Sequence, residues 1–222
     1  MGFNCGHACG KARAVPNAKG PSMLILASKS TTRKSLLQNA GLQFSLASAD
    51  VNEREIEQAA LTEGENRKGL ARRLAEAKAL AVSTTAPSAM VIGADQTIAF
   101  EGRGLHKPID RDDAATRLMS MAGKSHELHS GVALARNGQI VWSAVETAVL
   151  TFRPFDRKTL DRVLDLEGEA ILDSVAAYRL EGPSIRLFER IEGDYFTILG
   201  LPLLPLLAAL EQHAPKVFEP GS

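Results

Sequence analysis

Residues 28–34 combine small hydroxyl side chains with three cations, of which Arg33 and Lys34 fall on the first turn of the predicted helix. They follow a short apolar run and open a stretch with helical spacing. Free backbone N–H groups and the dipole at a helix N-terminus favour an anion. The segment therefore predicts a phosphate site, with a plain helix cap by Ser30 or Thr31 as the structural alternative. It is not a Walker loop, because the glycines of that loop are missing.

A single acid interrupts the apolar run at residues 90–100. Asp95 follows Gly93 and Ala94 in this run, and aspartate is disfavoured inside strands, so a specific role is expected. A carboxylate here can hold a divalent cation or accept a proton from water. The structural alternative is an aspartate that caps a turn.

Further polar motifs are weak when each is taken alone. Lys107 precedes Pro108, which restricts its backbone. His126 is more often a strand histidine with a satisfied hydrogen bond than a catalytic group. The remaining motifs place glycine at chain bends, with or without polar residues, as site loops and ordinary turns both do, at residues 123–126, 173–182, 190–195 and 200–203.

Composition narrows the class of ligand. The 222 residues include 26 Lys+Arg and 26 Asp+Glu, so the formal net charge is zero. Nucleic-acid binding usually needs a basic field, so this balance favours a small charged substrate met by a local group of cations.

With only Cys5 and Cys9, no disulfide framework is expected, which fits a reducing cytoplasm. We also expect no membrane span, since no apolar run is long enough.

The elements that must position these residues alternate between strands and helices. Residues 1–22 lack apolar periodicity and are predicted to be a disordered extension, with a zinc site at Cys5, His7 and Cys9 as a weak alternative. Residues 23–212 are expected to form one domain, followed by a flexible tail at 213–222. Strands are predicted at 23–27, 90–100, 125–136, 139–152 and 185–191, and helices at 31–39, 65–82, 110–121, 156–166 and 205–212. Asn137-Gly138 predicts a hairpin, and the expected class is α/β with a mixed sheet.

Taken in order, the motifs resemble the Maf family of nucleotide pyrophosphatases over residues 23–210. The resemblance implies a mixed central sheet flanked by helices, with two lobes around a cleft, as in Maf and ITPase-like folds. The motifs that carry it are Leu26-Ala27-Ser28 through Arg33, Leu36-Leu37, Leu74-Ala75 with Lys78-Ala79, Gly93-Ala94-Asp95, Lys107-Pro108, Gly123-Lys124-Ser125-His126, Gly193-Asp194-Tyr195 and Gly200-Leu201-Pro202.

The resemblance also implies an activity, which is hydrolysis of a nucleoside triphosphate to a monophosphate and pyrophosphate. Asp95 would be the proton acceptor, and Asp95 and Glu53 would hold Mg²⁺ or Mn²⁺. The residues implied for substrate binding are Ser28, Arg33, Glu53, Lys78 and Lys107. The expected partner is this substrate, with no nucleic acid and no membrane, in the cytoplasm; a homodimer is a possible assembly.

Three positions resemble those that separate subgroups of the family by base. They fall on Thr32, Gln96 and Glu181. A pyrimidine-preferring subgroup tends to have Arg, Thr and Gln at these positions. A subgroup that acts on 7-methyl-GTP tends to have Trp, Gln and Glu. The chain matches the second subgroup at Gln96 and Glu181 and neither at Thr32. A glutamate accepts hydrogen bonds only, which suits the N1–H and 2-amino donors of guanine. Glu181 as a solvated loop residue is the structural alternative.

Two other classes of function remain open on the sequence alone. One is a phosphatase or other hydrolase that acts on a different phosphorylated metabolite. The second is a non-catalytic nucleotide-binding regulator of cell division. The presence of Asp95 argues against an inactive enzyme, and pyrophosphate release separates the first alternative from a pyrophosphatase.

Overall fold

The computed structural model describes residues 24–219, apart from the side chain of Asp173. The predicted extension at residues 1–22, including the zinc alternative at its cysteines, lies outside the described residues. None of the helices between residues 24 and 219 combines the length and apolar character that crossing a bilayer requires.

Strands and helices are interspersed along the described chain. The strands are β1 (Leu24–Ala27), β2 (Ser45–Leu46), β3 (Met90–Phe100), β4 (Arg103–Gly104), β5 (Ser125–Arg136), β6 (Gln139–Phe152) and β7 (Phe188–Glu192). The helices are α1 (Thr31–Asn39), α2 (Glu53–Thr62), α3 (Arg67–Ser83), α4 (Arg111–Met121), α5 (Arg157–Glu167), α6 (Tyr195–Ile198) and α7 (Leu203–His213).

All seven strands belong to one mixed sheet, in the order β2-β1-β3-β5-β6-β7, with β4 paired to β3. Strand β1 runs parallel to β2 and β3, and the other pairs are antiparallel. Asn137 and Gly138 have φ values of 49° and 71°, the positive values that a tight hairpin between β5 and β6 requires. The predicted mixed α/β sheet is confirmed.

The two largest apolar cores lie at opposite ends of strand β3, and we call the parts of the protein around them the two lobes. The first lobe packs α1 and α7 against β1 and the start of β3, around Leu26 and Ile92. The second lobe packs α4 and α5 against the end of β3, around Ile98 and Phe152. Strand β3 therefore passes from one core into the other, and Asp95 lies on the stretch between them.

Two glycines bring α3 unusually close to the sheet. A Cβ at Gly93 of β3 would lie 2.1 Å from the Ala75 carbonyl oxygen, and one at Gly131 of β5 would lie 2.2 Å from that of Ala71. No side chain fits there, so the helix rests directly on the backbone of both strands. This contact places Lys78 of α3 beside the Asp95 strand segment.

The structure differs from the sequence predictions in the less regular segments. Helix α2 was not predicted. The strand predicted at 185–191 is wrong in its first half, because Pro183–Leu187 form a 3-10 helix and β7 begins at Phe188. Residues Pro215–Phe218, within the predicted flexible tail, form a 3-10 helix whose Val217 is buried against the first core.

Candidate active site

A cleft of about 1340 Å³ opens where the two lobes meet. Its walls come from the start of α1, from α2 and α3, from the middle of β3 and from loops of the second lobe. The structure brings together in it all the site residues singled out from the sequence: Ser28, Thr32, Arg33, Glu53, Lys78, Asp95, Gln96, Lys107 and Glu181.

At the floor of the cleft, Lys78 lies between two carboxylates. Its Nζ is 2.5 Å from Asp95 Oδ1 and 2.8 Å from Glu53 Oε1. The side chains of Lys78 and Asp95 are only 13% and 12% exposed, whereas that of Glu53 is 55% exposed. Since Glu53 is half in solvent on the first turn of α2, it is the partner that an incoming anion can displace from Lys78 most easily.

Asp95 is the buried acid of this group. Burial raises the pKa of its carboxyl, and the charges of Lys78 and Arg33 oppose that rise. A carboxylate whose pKa lies above its ordinary value accepts a proton from water more readily. Its position on a strand fixed by α3 also limits how far it can move.

Arg33 joins three segments of the first lobe. Its Nε donates to the Gly200 carbonyl at 2.8 Å, and its Nη1 donates to the Ala94 carbonyl at 2.8 Å and to Ser28 Oγ at 3.2 Å. Burial lowers the pKa of Arg33, and the nearby Asp95 carboxylate opposes this effect. Arg33 thus holds the backbone next to Asp95 in place, in addition to lining the cleft.

The N-terminus of α1 has the cap that the sequence allowed as an alternative. Ser30 Oγ accepts from the Arg33 backbone N–H at 3.3 Å, and Ser28 Oγ accepts from the Ser30 N–H at 3.2 Å. Both residues also line the cleft. The cap therefore forms at the same helix end where the sequence predicts an anion site.

Gln96 is held by the protein itself. Its Nε2 donates to Ser130 Oγ at 3.0 Å and to the carbonyls of Thr197 and Ile198 at 3.2 and 3.0 Å. The amide nitrogen therefore fastens α6 to β3. Of the two polar atoms of its side chain, the carbonyl oxygen takes no part in these bonds.

The three other predicted residues lie at the cleft rim. Thr32 is on the first turn of α1, Lys107 is exposed on the loop after β4, and Glu181 is exposed on a second-lobe loop. Within residues 24–219, neither Lys107 nor Glu181 forms a salt bridge, so both charges are accessible to a ligand.

Sequence reasoning missed a buried aromatic group on the second-lobe side of the cleft. His126, Phe152, Tyr178 and Phe188 stack or meet edge to face, and we call them the aromatic cluster. His126 Nε2 is 2.7 Å from Tyr178 Oη. Burial lowers the pKa of His126 to about 4 and raises that of Tyr178, so both side chains are neutral at pH 7. His126 thus forms one hydrogen bond, through Nε2, and its buried Nδ1 has no hydrogen-bond partner within the described residues.

Arg67 was also missed. Its guanidinium forms an ion pair with Glu57 of α2 and lies where a Cβ at Gly104 would have to be, and its carbonyl accepts from Thr97 Oγ1 at 2.7 Å. Arg67 therefore links α2 to β3 and to the turn before Lys107. No motif at 66–68 signals this, because the three partners come from separate segments.

The residues available for a metal ion are few. No group of three or more His, Cys, Asp and Glu side chains suited to a metal occurs in the described part of the chain. Glu53 and Asp95, the predicted ligands, both lie against Lys78. Two carboxylates fit Mg²⁺ that is held mainly by substrate phosphates and water, the usual arrangement for this ion.

The two-lobed mixed sheet thus places charges of both signs together in one cleft. Residues 23–213 match the family described as Maf-like protein, so the chain belongs to the Maf-like family. The resemblance inferred from the motifs is thereby confirmed.

The similar proteins are named either 7-methyl-GTP pyrophosphatase or nucleoside triphosphate pyrophosphatase. A 7-methyl-GTP pyrophosphatase of Rhizobium meliloti is 50% identical over 190 residues, which are 86% of this chain and 96% of the relative. One of Brucella suis is 49% identical over the same shares. A nucleoside triphosphate pyrophosphatase of Bradyrhizobium diazoefficiens is 51% identical over 195 residues, 88% of this chain and 96% of the relative.

Proposed function

We propose that this protein hydrolyses a nucleoside triphosphate to a nucleoside monophosphate and pyrophosphate in the cleft. The observation that carries the proposal is the buried Asp95 carboxylate, 2.5 Å from Lys78, at the junction of the two lobes. The high identity to relatives named as pyrophosphatases, over nearly their full length, supports it.

In this proposal Asp95 is the general base. It takes a proton from a water molecule whose oxygen attacks the α-phosphorus, the bond between that phosphorus and the α–β bridging oxygen breaks, and pyrophosphate leaves. The triphosphate takes the place of the exposed Glu53 at Lys78, whereas the buried Asp95 stays beside Lys78, with burial raising the pKa of its carboxyl. Lys107, Lys78 and the N-terminus of α1 hold the phosphate oxygens.

A divalent cation, Mg²⁺ or Mn²⁺, would be held by Asp95 and Glu53 together with the substrate. When bound it supplies charge neutralisation on the phosphates and lowers the pKa of coordinated water. Glu53 is free to take this role because the triphosphate replaces it at Lys78. The contribution of the protein is to hold these two carboxylates on the same side of the cleft floor.

The base is proposed to be a guanine, with 7-methyl-GTP as the preferred form. Glu181, exposed and without a salt bridge within the described residues, is the acceptor for the N1–H and 2-amino donors. The carbonyl oxygen of Gln96 is a second acceptor. Uracil presents carbonyl oxygens beside its single ring N–H, so a carboxylate is a poor partner for it.

The test is a product assay with 7-methyl-GTP, GTP, UTP and dTTP in the presence of Mg²⁺ or Mn²⁺. Pyrophosphate and the monophosphate are expected, with the highest kcat/KM for the guanine nucleotides. Orthophosphate in place of pyrophosphate would instead support a phosphatase. Preference for UTP or dTTP with pyrophosphate release would overturn only the choice of base.

A further inference from the structure

A buried carboxylate outside the charged floor of the cleft has no part in the chemistry proposed above. Glu167, the last residue of α5, has a side chain that is 0% exposed. Its Oε1 accepts from both the backbone N–H and the hydroxyl of Ser184, at 2.8 and 2.7 Å. Burying a carboxylate costs free energy unless it is hydrogen-bonded or paired with a cation, so a specific role is expected for Glu167.

The partners of Glu167 are the two ends of one turn, residues 179–184. Ser184 is at one end and forms hydrogen bonds. Arg179 is at the other, with Nη1 3.9 Å from Glu167 Oε2, a distance that allows charge attraction but no hydrogen bond. The middle of the turn packs closely on the same carboxylate, because a Cβ at Gly182 would lie 2.7 Å from Glu167 Oε1. Glu181, which lines the cleft, is in this turn.

The turn is fixed on its N-terminal side as well. Tyr178, directly before Arg179, is buried and bonded through Oη to His126. Between Tyr178 and Ser184, Glu181 is the residue whose carboxylate is exposed. Arg179 is only two residues away in sequence, yet its salt bridge is with Glu167 and not with Glu181.

We propose that Glu167 is a positioning residue for base selection: it anchors the Ser184 end of the 179–184 turn and draws the Arg179 cation away from Glu181. The Glu181 carboxylate is thereby left in the cleft without a neutralising neighbour, available to the donors of a guanine ring. This inference rests on the proposed function, since it concerns how that same cleft chooses its base.

Glu167→Gln tests the charge while retaining an acceptor for Ser184. Freed from its partner, Arg179 pairs with Glu181, so KM for 7-methyl-GTP rises about tenfold while kcat changes by about twofold or less. KM for UTP stays the same, so the preference between the two substrates falls. A general loosening of the fold would instead change both substrates alike and lower kcat.

The double variant Glu167→Gln, Arg179→Met is the matched control. Removing the released cation restores the preference for 7-methyl-GTP, and Arg179→Met alone leaves it unchanged. Loss of preference in Arg179→Met alone would mean that Arg179 itself binds the nucleotide and would overturn the proposal. So would failure of the double variant to recover.

Ser184→Ala keeps the inference testable if Glu167→Gln does not fold. It removes one of the two hydrogen bonds and leaves the carboxylate charged, so a smaller fall in the same preference is expected. Unchanged preference in either folded variant, with an active wild type, would overturn the role of Glu167 and leave the proposed function intact. A wild type that releases no pyrophosphate from any triphosphate would overturn both.

Discussion

The two sides of the cleft differ in how many charged side chains they contain. On the first-lobe side, Arg33, Glu53, Lys78 and Asp95 form a charged cluster in which every charge faces one of the opposite sign. On the second-lobe side, the aromatic cluster is buried and neutral, with the hydrogen bond between His126 and Tyr178 at its centre.

The difference indicates which part can respond to a ligand. In the charged cluster a polyanion can replace one carboxylate at Lys78, and this exchange leaves the pairing of charges intact. The aromatic cluster offers no charge to exchange, and its packed rings give a fixed wall for the loop that carries Glu181. We therefore expect substitutions in the charged cluster to affect turnover, and those in the aromatic cluster to affect stability.

The largest effect is expected from Asp95→Asn. The substitution keeps the shape of the side chain and removes the proton acceptor, so kcat should fall by about 10² to 10⁴-fold. Circular dichroism and the melting temperature should remain close to those of the wild type. Turnover near the wild-type level would remove Asp95 from the mechanism.

The pH dependence of stability tests the aromatic cluster. The pKa of His126 is about 4 in the folded protein, below the ordinary histidine value of 6.5, so between these values the unfolded chain binds a proton that the folded chain does not. The free energy of unfolding should therefore fall as the pH drops from 6.5 to 4, by about 3 kcal/mol in all.

Urea unfolding at pH 7 and pH 4.5 measures this loss. The difference between wild type and His126→Phe isolates His126 from His129, whose pKa is also lowered by burial. His106→Asn, at an exposed position, is the control and should keep the wild-type pH dependence. Equal pH dependence in wild type and His126→Phe would show that the imidazole is not held neutral.

Lys78→Met removes the shared cation of the charged cluster. Glu53 and Asp95 are then left facing each other, and the triphosphate loses a partner, so kcat/KM should fall about tenfold to a hundredfold. Lys68→Met, on the same helix but outside the cleft, should retain wild-type kcat/KM. A similar fall in both variants would point to helix α3 rather than to the cluster.

The smallest effect is expected from Glu181→Gln at the rim. An amide both donates and accepts, so the preference of kcat/KM for 7-methyl-GTP over UTP should fall by about tenfold. Pyrophosphate release itself should continue. If the ratio of the two kcat/KM values is unchanged, Glu181 is a solvated loop residue.

The parts of the fold that were predicted correctly are those with a clear local sequence pattern. The predicted bounds of strands β3, β5 and β6 agree with the observed ones because these strands are long and apolar and because Asn137-Gly138 marks the hairpin. Helix α2 was missed because Ile56 and Leu61 are its only large apolar side chains, too few for a long apolar repeat. It is held to α3 by a small apolar cluster around Ala60 and by ion pairs from Glu53 and Glu57.

Part of the candidate site could likewise be predicted from local motifs, and part of it could not. Motif order predicted that Asp95, Lys78 and Arg33 belong together, and the structure places them in one cleft. It could not predict that Arg33 donates to Gly200, 167 residues later, or that Glu167 anchors the turn around Glu181. Such contacts depend on how distant segments fold together and have no local pattern.

The most direct test of the central claim is hydrolysis in ¹⁸O-labelled water, with the products analysed by mass spectrometry. Attack of an Asp95-activated water on the α-phosphorus predicts the label in the nucleoside monophosphate and none in pyrophosphate, with product formation almost lost in Asp95→Asn. Labelled orthophosphate together with a nucleoside diphosphate would contradict the account, because the cleft would then cut at the γ-phosphorus.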